Sequence, residues 1–453
     1  MLEKESFWRE VRDNVPAYSK FLAQEKGCEY QPESFDELPF QTKQNYLLQF
    51  PMKDLCRPDD VMNIHLIGAS SGFSKSGAVY WPKRPQDEVG YIQSIETMLR
   101  TYYQIDKKRT LTFVCLAFGM WIGGMQIAST MRQIALNGNY PFTVCTPGLN
   151  LKEIAHVLKQ YEADFDQFLI VTNPSNIPLI VNLLKQEKVS VKPGSVSFPV
   201  VGEYFTETFR EQIARSFGHP EDSPYVVWTG YGSADAGDLG YENASVIALR
   251  KFMARMPDLS EKFFGTTSTP MILQLNPSAL IEIVDGRIVV TKDQLTPLLR
   301  YDTKDNGGLL ERSDLKGYIP SPLYDLLPEH MMFVYGRVDN AIVFYGTNLV
   351  INNIVDYMLS LPTELCYGGL FTVQEKNIDG ITTFLFTIYV THPEKVSIED
   401  YRKYLIDFLC RQSDEFRIKY ENLSQSVSLP LIELAIADID SVNSKIKHKY
   451  ILS

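Results

Sequence analysis

The sequence predicts an α/β fold: a large N-terminal domain over residues 1–338, with mostly parallel sheets flanked by helices plus a β-rich part, and a small α+β domain over residues 339–453. Three observations predict it. Helical and apolar-strand patterns alternate from about residue 90 to 225, as βαβ units do. Residues 281–308 switch to turn-punctuated strands, with Asp285-Gly286 as a two-residue hairpin signal. Between Val334 and Met358, Gly336 and Gly346 bracket a short run at Ala341–Phe344, and helical spacing follows. Only about 110 residues lie beyond this joint, the size of one small domain. The same stretch also reads as a hairpin on one domain's surface.

Taken in order, Phe7, Val11, Val15, Tyr18 and Phe21 form a helical stripe that Pro16 breaks or restarts. Ser34 precedes Glu37 with capping-box spacing, and Thr42 reads as the N-cap of a short helix. Strands are expected at 111–118 and 168–172, and helices at 127–136, 150–161 and 177–186. After the hairpin at Asp285-Gly286, a second small turn is expected at Gly307-Gly308. Beyond the joint come a strand (341–345), a helix (351–359), paired strands around Asp379-Gly380, a helix (397–410) and a last strand at LIELAIAD.

At 453 residues the chain is long enough for two or three domains and a large core. Its 44 Lys and Arg against 55 Asp and Glu, net −11, argue against nucleic acid or an anionic membrane as the main partner. The six cysteines are far apart with no CxxC pair, which suggests neither a zinc site nor a disulfide framework and points to a reducing cytoplasm. The N-terminus lacks an apolar h-region, and no apolar run of about 18 residues occurs, so neither export nor a membrane span is expected.

Four stretches carry chemical character. In NIHLIGASSGFSKSGAVYWP, Ser70, Ser71, Gly72, Phe73, Ser74 and Lys75 supply hydroxyls, a cation and small residues that let backbone N–H groups approach a phosphate. The same composition serves a flexible hairpin, and Ala78 stands where a Walker lysine would fall. Phe118, Gly119, Met120 and Trp121 follow a strand, where open α/β sheets collect ligands. In VVWTGYGSADAGDLGYEN, Asp235, Asp238 and Glu242 follow a glycine turn and suit either a hard cation or a solvated acidic loop. The lysines of the tail SVNSKIKHKYILS carry no catalytic signal by charge alone.

In this order, the stretches resemble the phenylacetate-CoA ligase branch of the adenylate-forming enzymes, the superfamily of acyl-CoA synthetases, adenylation domains and luciferases. VPAYSKFL with ELPFQTKQNYLLQFP looks like that branch's N-terminal signature. ASSGFSKSG falls at the family's phosphate loop, VGEYF at its adenine segment and YGSADAG at its Tyr-Gly-x-x-Glu motif. LLRYDTKD is similar to Arg-Tyr-x-Thr-x-Asp, and YGRVDNAIVFYGTN to the Gly-Arg-x-Asp-Asp hinge.

The resemblance implies attack of a carboxylic acid on the α-phosphate of Mg-ATP, giving an acyl-adenylate and pyrophosphate, then transfer to a thiol such as CoA. It implies Asp305 on the ribose, Tyr231 stacked on adenine, Gly202 and Glu203 along the adenine edge, and Gly232 and Ser233 beside them. Ser70, Ser71, Gly72 and Ser74 would meet the phosphates, with Arg337 on phosphate or ribose and Asp235 linked to Mg²⁺. Lys445 would be the adenylation lysine, with Lys447 as the alternative register, and Asp339 the hinge of a mobile lid. Phe118, Gly119, Met120, Trp121, Trp228 and Gly230 would line the acid pocket, suggesting an aromatic or apolar acid. An amine or carrier-protein acceptor and a homodimer stay open.

The chain departs from the family pattern at Phe73 and Lys75 in the phosphate loop, Asp235 for glutamate, Asn340 for the second hinge aspartate and Val355 near a usual glutamate. The altered loop suits a specialised ligase, weak ATP turnover, or a homologue that binds an adenylate without turning it over.

Overall fold

The computed structural model describes residues 3–69, 80–119, 122–336, 341–344, 347–378, 381–412, 416–417, 420–421, 424, 430–442 and 450–452. Helices α1 (Lys4–Asn14) and α2 (Pro16–Lys26) bury Trp8, Val11, Tyr18 and Phe21. Pro16 sits in the first turn of α2, where a missing N–H leaves no bond unmade, so the helix restarts there. Thr42 caps the short turn Lys43–Leu47, its hydroxyl accepting from the Asn45 N–H at 3.0 Å. Ser34 does not cap as its spacing suggested: Phe35–Glu37 is a 3₁₀ turn, and the Glu37 carboxylate accepts from the Glu33 N–H at 2.9 Å. Helix α3 (Met52–Leu55) leads to a hairpin of β1 (Leu66–Ala69) and β2 (Tyr80–Lys83).

The alternation that follows is the expected one: α4 (Pro85–Tyr103), β3 (Thr110–Val114), α5 (Ile122–Asn137), β4 (Phe142–Cys145), α6 (Lys152–Tyr161), β5 (Gln167–Val171), α7 (Ile177–Gln186), β6 (Val196–Val200), α8 (Glu207–Ser216) and β7 (Val227–Ser233). The strands lie parallel in the order β4-β3-β5-β6-β7. Every residue of β3, β5 and β6 is buried, as in a parallel sheet covered on both faces.

At β7 the sheet changes character. β8 (Gly237–Tyr241) returns antiparallel, and after α9 (Ala244–Ala254) and α10 (Pro257–Phe264) come β9 (Met271–Leu275), β10 (Ala279–Val284), β11 (Arg287–Lys292), β12 (Leu298–Glu311), α11 (Ser321–Tyr324) and β13 (His330–Gly336). All join one 11-stranded sheet, ordered β10-β11-β12-β13-β9-β8-β7-β6-β5-β3-β4. Asp285 (φ 51) and Gly286 (φ 75) both take the left-handed conformation that a two-residue hairpin turn demands. The turn expected at Gly307-Gly308 does not exist. Both glycines lie inside β12, because a Cβ on either would run into Phe333 on neighbouring β13.

Downstream, β14 (Ala341–Phe344) and β15 (Thr347–Val350) form a hairpin, so the expected lone strand is one arm of a pair. Then come α12 (Ile351–Leu359), β16 (Tyr367–Ile378), β17 (Ile381–Val390), α13 (Ile398–Gln412), β18 (Ile432–Asp438) and β19 (Ile451–Leu452), with the sheet ordered β18-β17-β16-β19. Their core is their own: Phe344, Ile354, Phe371, Phe386, Tyr401 and Phe408 cluster without an upstream residue among those described. Leu359 and Asp356 of α12 reach the upstream part, Leu359 by packing and Asp356 by accepting a hydrogen bond from Thr206 Oγ1 at 2.7 Å. Residues 337–340, where the two-domain boundary was expected, lie outside the described residues. Among those described, no helix is long and apolar enough to cross a membrane.

Candidate active site

Because β3, β5, β6 and β7 are parallel, the segments leaving them gather at one edge of the sheet, where open α/β sheets hold ligands. Phe118 and Gly119 follow β3, with Phe118 packed against the core cluster that includes Val114 and Leu169. Asn173 follows β5, and its amide donates to Val201 O at 2.8 Å, tying that segment to Gly202 and Glu203 after β6. Gly202 is exposed and left-handed (φ 82), a conformation that glycine adopts without the penalty a side chain would bring. β7 brings Gly230, Tyr231, Gly232 and Ser233 to the same edge, directly before the turn that holds Asp235.

Two hydrogen bonds between distant segments shape the centre. The Tyr231 hydroxyl donates to Asp305 Oδ2 at 2.7 Å, and the Tyr301 hydroxyl donates to Asp235 Oδ2. Tyr301 and Asp305 both come from β12, so that strand faces β7 with a phenol and a carboxylate, each paired to its opposite kind. Burial, and then the Asp305 charge, hold the Tyr231 phenol well above its ordinary value, so it remains a donor. The Asp305 N–H donates to Thr303 Oγ1 at 3.2 Å, whose hydroxyl donates to Ile288 O at 2.9 Å, which anchors the acidic end to β11.

Behind β7 lies a fully buried ion cluster. Arg210 of α8 and Arg250 of α9 share Glu242 at 2.6 and 3.2 Å, and both also meet Glu207. Glu242 Oε2 accepts the Thr229 N–H at 3.2 Å, and Arg210 Nη1 donates to Val227 O, so the cluster grips the strand that carries Tyr231. This corrects the acidic trio read from the sequence: Glu242 serves the guanidinium pair, the Asp238 carboxylate accepts from Asn276 at 2.9 Å, and Asp235 stands with Tyr301. Trp228 points away from Tyr231, packing on Met98 and Ile247 while its indole N–H donates to Glu242 O at 2.6 Å.

The sequence-derived site residues Tyr231, Gly232, Ser233, Asp235, Asp305, Gly202, Glu203, Phe118, Gly119 and Gly230 thus sit on the strand ends and on facing β12. Ser70, Ser71, Gly72, Ser74, Met120, Trp121, Arg337, Asp339, Lys445 and Lys447 lie outside the described residues. Sequence reasoning did not single out Tyr301, Lys83, Lys292 or Gln294. Lys83 is buried, lines a small cavity with Asp87, Asp235 and Gln294, and has its amine pushed down by burial. Burial also lowers Lys292, to about 8.

Among the described residues no group of three or more His, Cys, Asp or Glu side chains suits a metal. Mg²⁺ commonly takes one or two carboxylates and completes its shell with phosphates and water. Asp235, half-buried and bonded to Tyr301 through one oxygen, fits that minimal donor set.

No family model and no curated protein matches the sequence. Solved structures do resemble it. 2-Hydroxyisobutyryl-CoA ligase in the postadenylation state with 2-HIB-AMP has a TM-score of 0.64 at 12% identity, covering 99% of this chain and 87% of that one. The same ligase with 2-HIB-AMP and CoA in the thioesterification state scores 0.52 at 11% identity and the same coverage. AtGH3.15 acyl acid amido synthetase with 2,4-DB scores 0.58 at 10% identity, covering 99% of this chain and 91% of that one. At these identities the likeness is one of architecture: the chain has the fold of these acid ligases.

Proposed function

We propose that the chain is an ATP-dependent carboxylic-acid adenylating ligase of the cytoplasm, built as a large domain over 1–338 and a small lid over 339–453. The observation that carries this reading is the Tyr231–Asp305 pair at the strand ends: an aromatic ring beside a carboxylate able to take two hydroxyl donors is what an adenosine requires. The order of the motifs in the sequence and the fold likeness support it.

In the proposed reaction a carboxylate oxygen attacks the α-phosphorus of ATP, the bond to pyrophosphate breaks, and an acyl-adenylate forms. A thiolate sulfur then attacks the acyl carbon and AMP departs. Asp305 takes the ribose hydroxyls, Tyr231 the adenine face and Glu203 its edge. Ser70, Ser71, Ser74 and Arg337 receive the phosphates. Lys445 stabilises the charge that develops at the α-phosphate, and Asp339 is the hinge that exchanges Lys445 for the thiol. Asp235 would hold Mg²⁺ against the phosphates, where the ion neutralises their charge. Phe118, Met120 and Trp121 favour an aromatic or apolar acid in the phenylacetate-CoA ligase manner.

The likeness to an acyl acid amido synthetase favours one second reading, in which an amine accepts the acyl group. Pyrophosphate release with Mg-ATP and a panel of aryl and fatty acids, with and without CoA, tests both. Release for one acid class, with thioester only when CoA is present, supports the ligase. Release without thioester, and amide on adding amino acids, supports the amine acceptor. Silence across the panel refutes catalysis.

A further inference from the structure

The turn that carries Asp235 closes the β7–β8 hairpin at the Ser233–Gly237 pair, with a register slip between Tyr231 and Gly232. Carbonyls in and beside the turn also take donors from outside the hairpin. Two side chains of the β11 end supply them. Gln294 Nε2 donates to Asp235 O at 2.6 Å, while Lys292 Nζ donates to Ala236 O at 2.9 Å and to Asp238 O at 2.7 Å. Three carbonyls within four residues are therefore bound from one side.

The donors are themselves fixed. Lys292 is the last residue of β11 and pairs with Ala279 of β10 on one side and Leu298 of β12 on the other, so its backbone is pinned across the sheet. Gln294 lies two residues on, is buried, and its amide also donates to Thr296 O at 3.2 Å. Gln294 stands in the bend that follows β11, so the strand end and the bend together bring both side chains to the same turn. An ammonium has three donors, and that of Lys292 satisfies two carbonyls at once. With Tyr301 bonded to the carboxylate, Asp235 is held through both its backbone and its side chain.

We propose that Lys292 and Gln294 are positioning residues: they fix the 234–238 turn and thereby the place of the Asp235 carboxylate at the nucleotide edge. The proposal rests on the reading that Asp235 serves acid activation, and it adds to that reading the two groups that set where Asp235 stands. Displacement of a reacting or ion-holding group by about 1 Å lowers a rate by about a hundredfold, so the bracket acts on turnover more than on substrate affinity.

The test compares Lys292→Met, Lys292→Arg and Gln294→Leu with the unaltered chain. Amide hydrogen exchange over 231–241 should quicken in Lys292→Met and Gln294→Leu, with β3 and β5 unchanged as internal controls, and Lys292→Arg should restore much of the protection. In the adenylation assay the first two variants should lose about ten- to a hundredfold in kcat, with KM for ATP changed by less than about threefold. If Lys292→Met does not yield folded protein, Gln294→Leu carries the same comparison. Unchanged exchange over 231–241 in both variants overturns the bracket whatever the activity. Undiminished kcat in Lys292→Met, in a chain that Asp235→Asn inactivates, overturns its bearing on turnover. An unaltered chain that releases no pyrophosphate with any acid overturns the functional reading instead, and the exchange comparison then judges the bracket alone.

Discussion

Thr206 Oγ1 donates to Asp356 Oδ1 at 2.7 Å, a bond from the head of α8 to α12 that joins the C-terminal core to the sheet upstream. Burial raises the Asp356 carboxyl to about 7, against the opposing pull of the Thr206 bond and the Arg250 charge. After burial and the Glu203 charge, the Asp356 charge also acts to raise the phenol of Tyr450, just before β19. An unfolded aspartate titrates near 4, so below about pH 4 both states keep the proton and the group has no effect. Between about 4 and 7 the unfolded chain releases it first, and stability falls as pH rises, by up to about 4 kcal/mol once pH exceeds 7. Asp356→Asn retains an acceptor for Thr206 and removes the titration. By calorimetry it should melt with the unaltered chain at pH 4 and above it at pH 8. An offset that does not change with pH would show that the carboxyl is not held protonated.

The Arg210–Glu242–Arg250–Glu207 cluster predicts an asymmetry. Glu242→Gln leaves two fully buried guanidinium groups short of an anion and should destabilise the chain by about 3–5 kcal/mol in urea unfolding. Removing a pair together, Arg210→Met with Glu242→Leu, removes the charges as well as their partners and should cost less than the two single changes added. A single Glu242→Gln effect below about 1 kcal/mol would mean that water reaches the cluster.

What was legible in the sequence was periodic or local. Buried runs such as FLIVT, the helical stripe of residues 177–186 and the Asp285-Gly286 turn each encode their structure within a few residues. Gly307 and Gly308 misled because a glycine needed for space beside Phe333 reads like one needed for a turn. Glu242 looked like part of an acidic loop because its partners Arg210 and Arg250 stand on other elements, with no local trace of the pairing. The same holds for Lys292 and Gln294, whose carbonyl partners around Asp235 lie more than fifty residues away. Their only signature is spacing two apart at a strand end, which any solvated pair also shows.

The glycines of β12 can be distinguished from turn glycines by rescue. Gly308→Ala places a methyl against the Phe333 ring and should destabilise by about 1–3 kcal/mol. Phe333→Leu removes the ring atoms in the way, so in that background the same alanine should be tolerated better. Gly286→Ala, which meets open space but needs φ 75, should lose a similar amount in both backgrounds. Denaturant midpoints of the double-mutant cycle decide it, and equal Gly308→Ala losses with and without Phe333 would place the constraint in the backbone.

The Tyr231–Asp305 bond separates two roles that the proposed function gives this tyrosine. Its hydroxyl is bonded to the carboxylate, and in the proposed site its ring offers a face to a base. A hydrogen bond to a charged group contributes about 1.5–3 kcal/mol, so Tyr231→Phe should weaken AMP binding by about ten- to a hundredfold while leaving the ring in place. Asp305→Ala should weaken it further, since the proposed acceptor for the ribose is gone. In the Asp305→Ala background Tyr231→Phe should then have no further effect, whereas Tyr231→Leu should still reduce affinity because stacking does not depend on the carboxylate. Titration calorimetry with AMP measures all four terms. If Tyr231→Phe costs the same with and without Asp305, the phenol acts on the ligand directly rather than by holding the carboxylate.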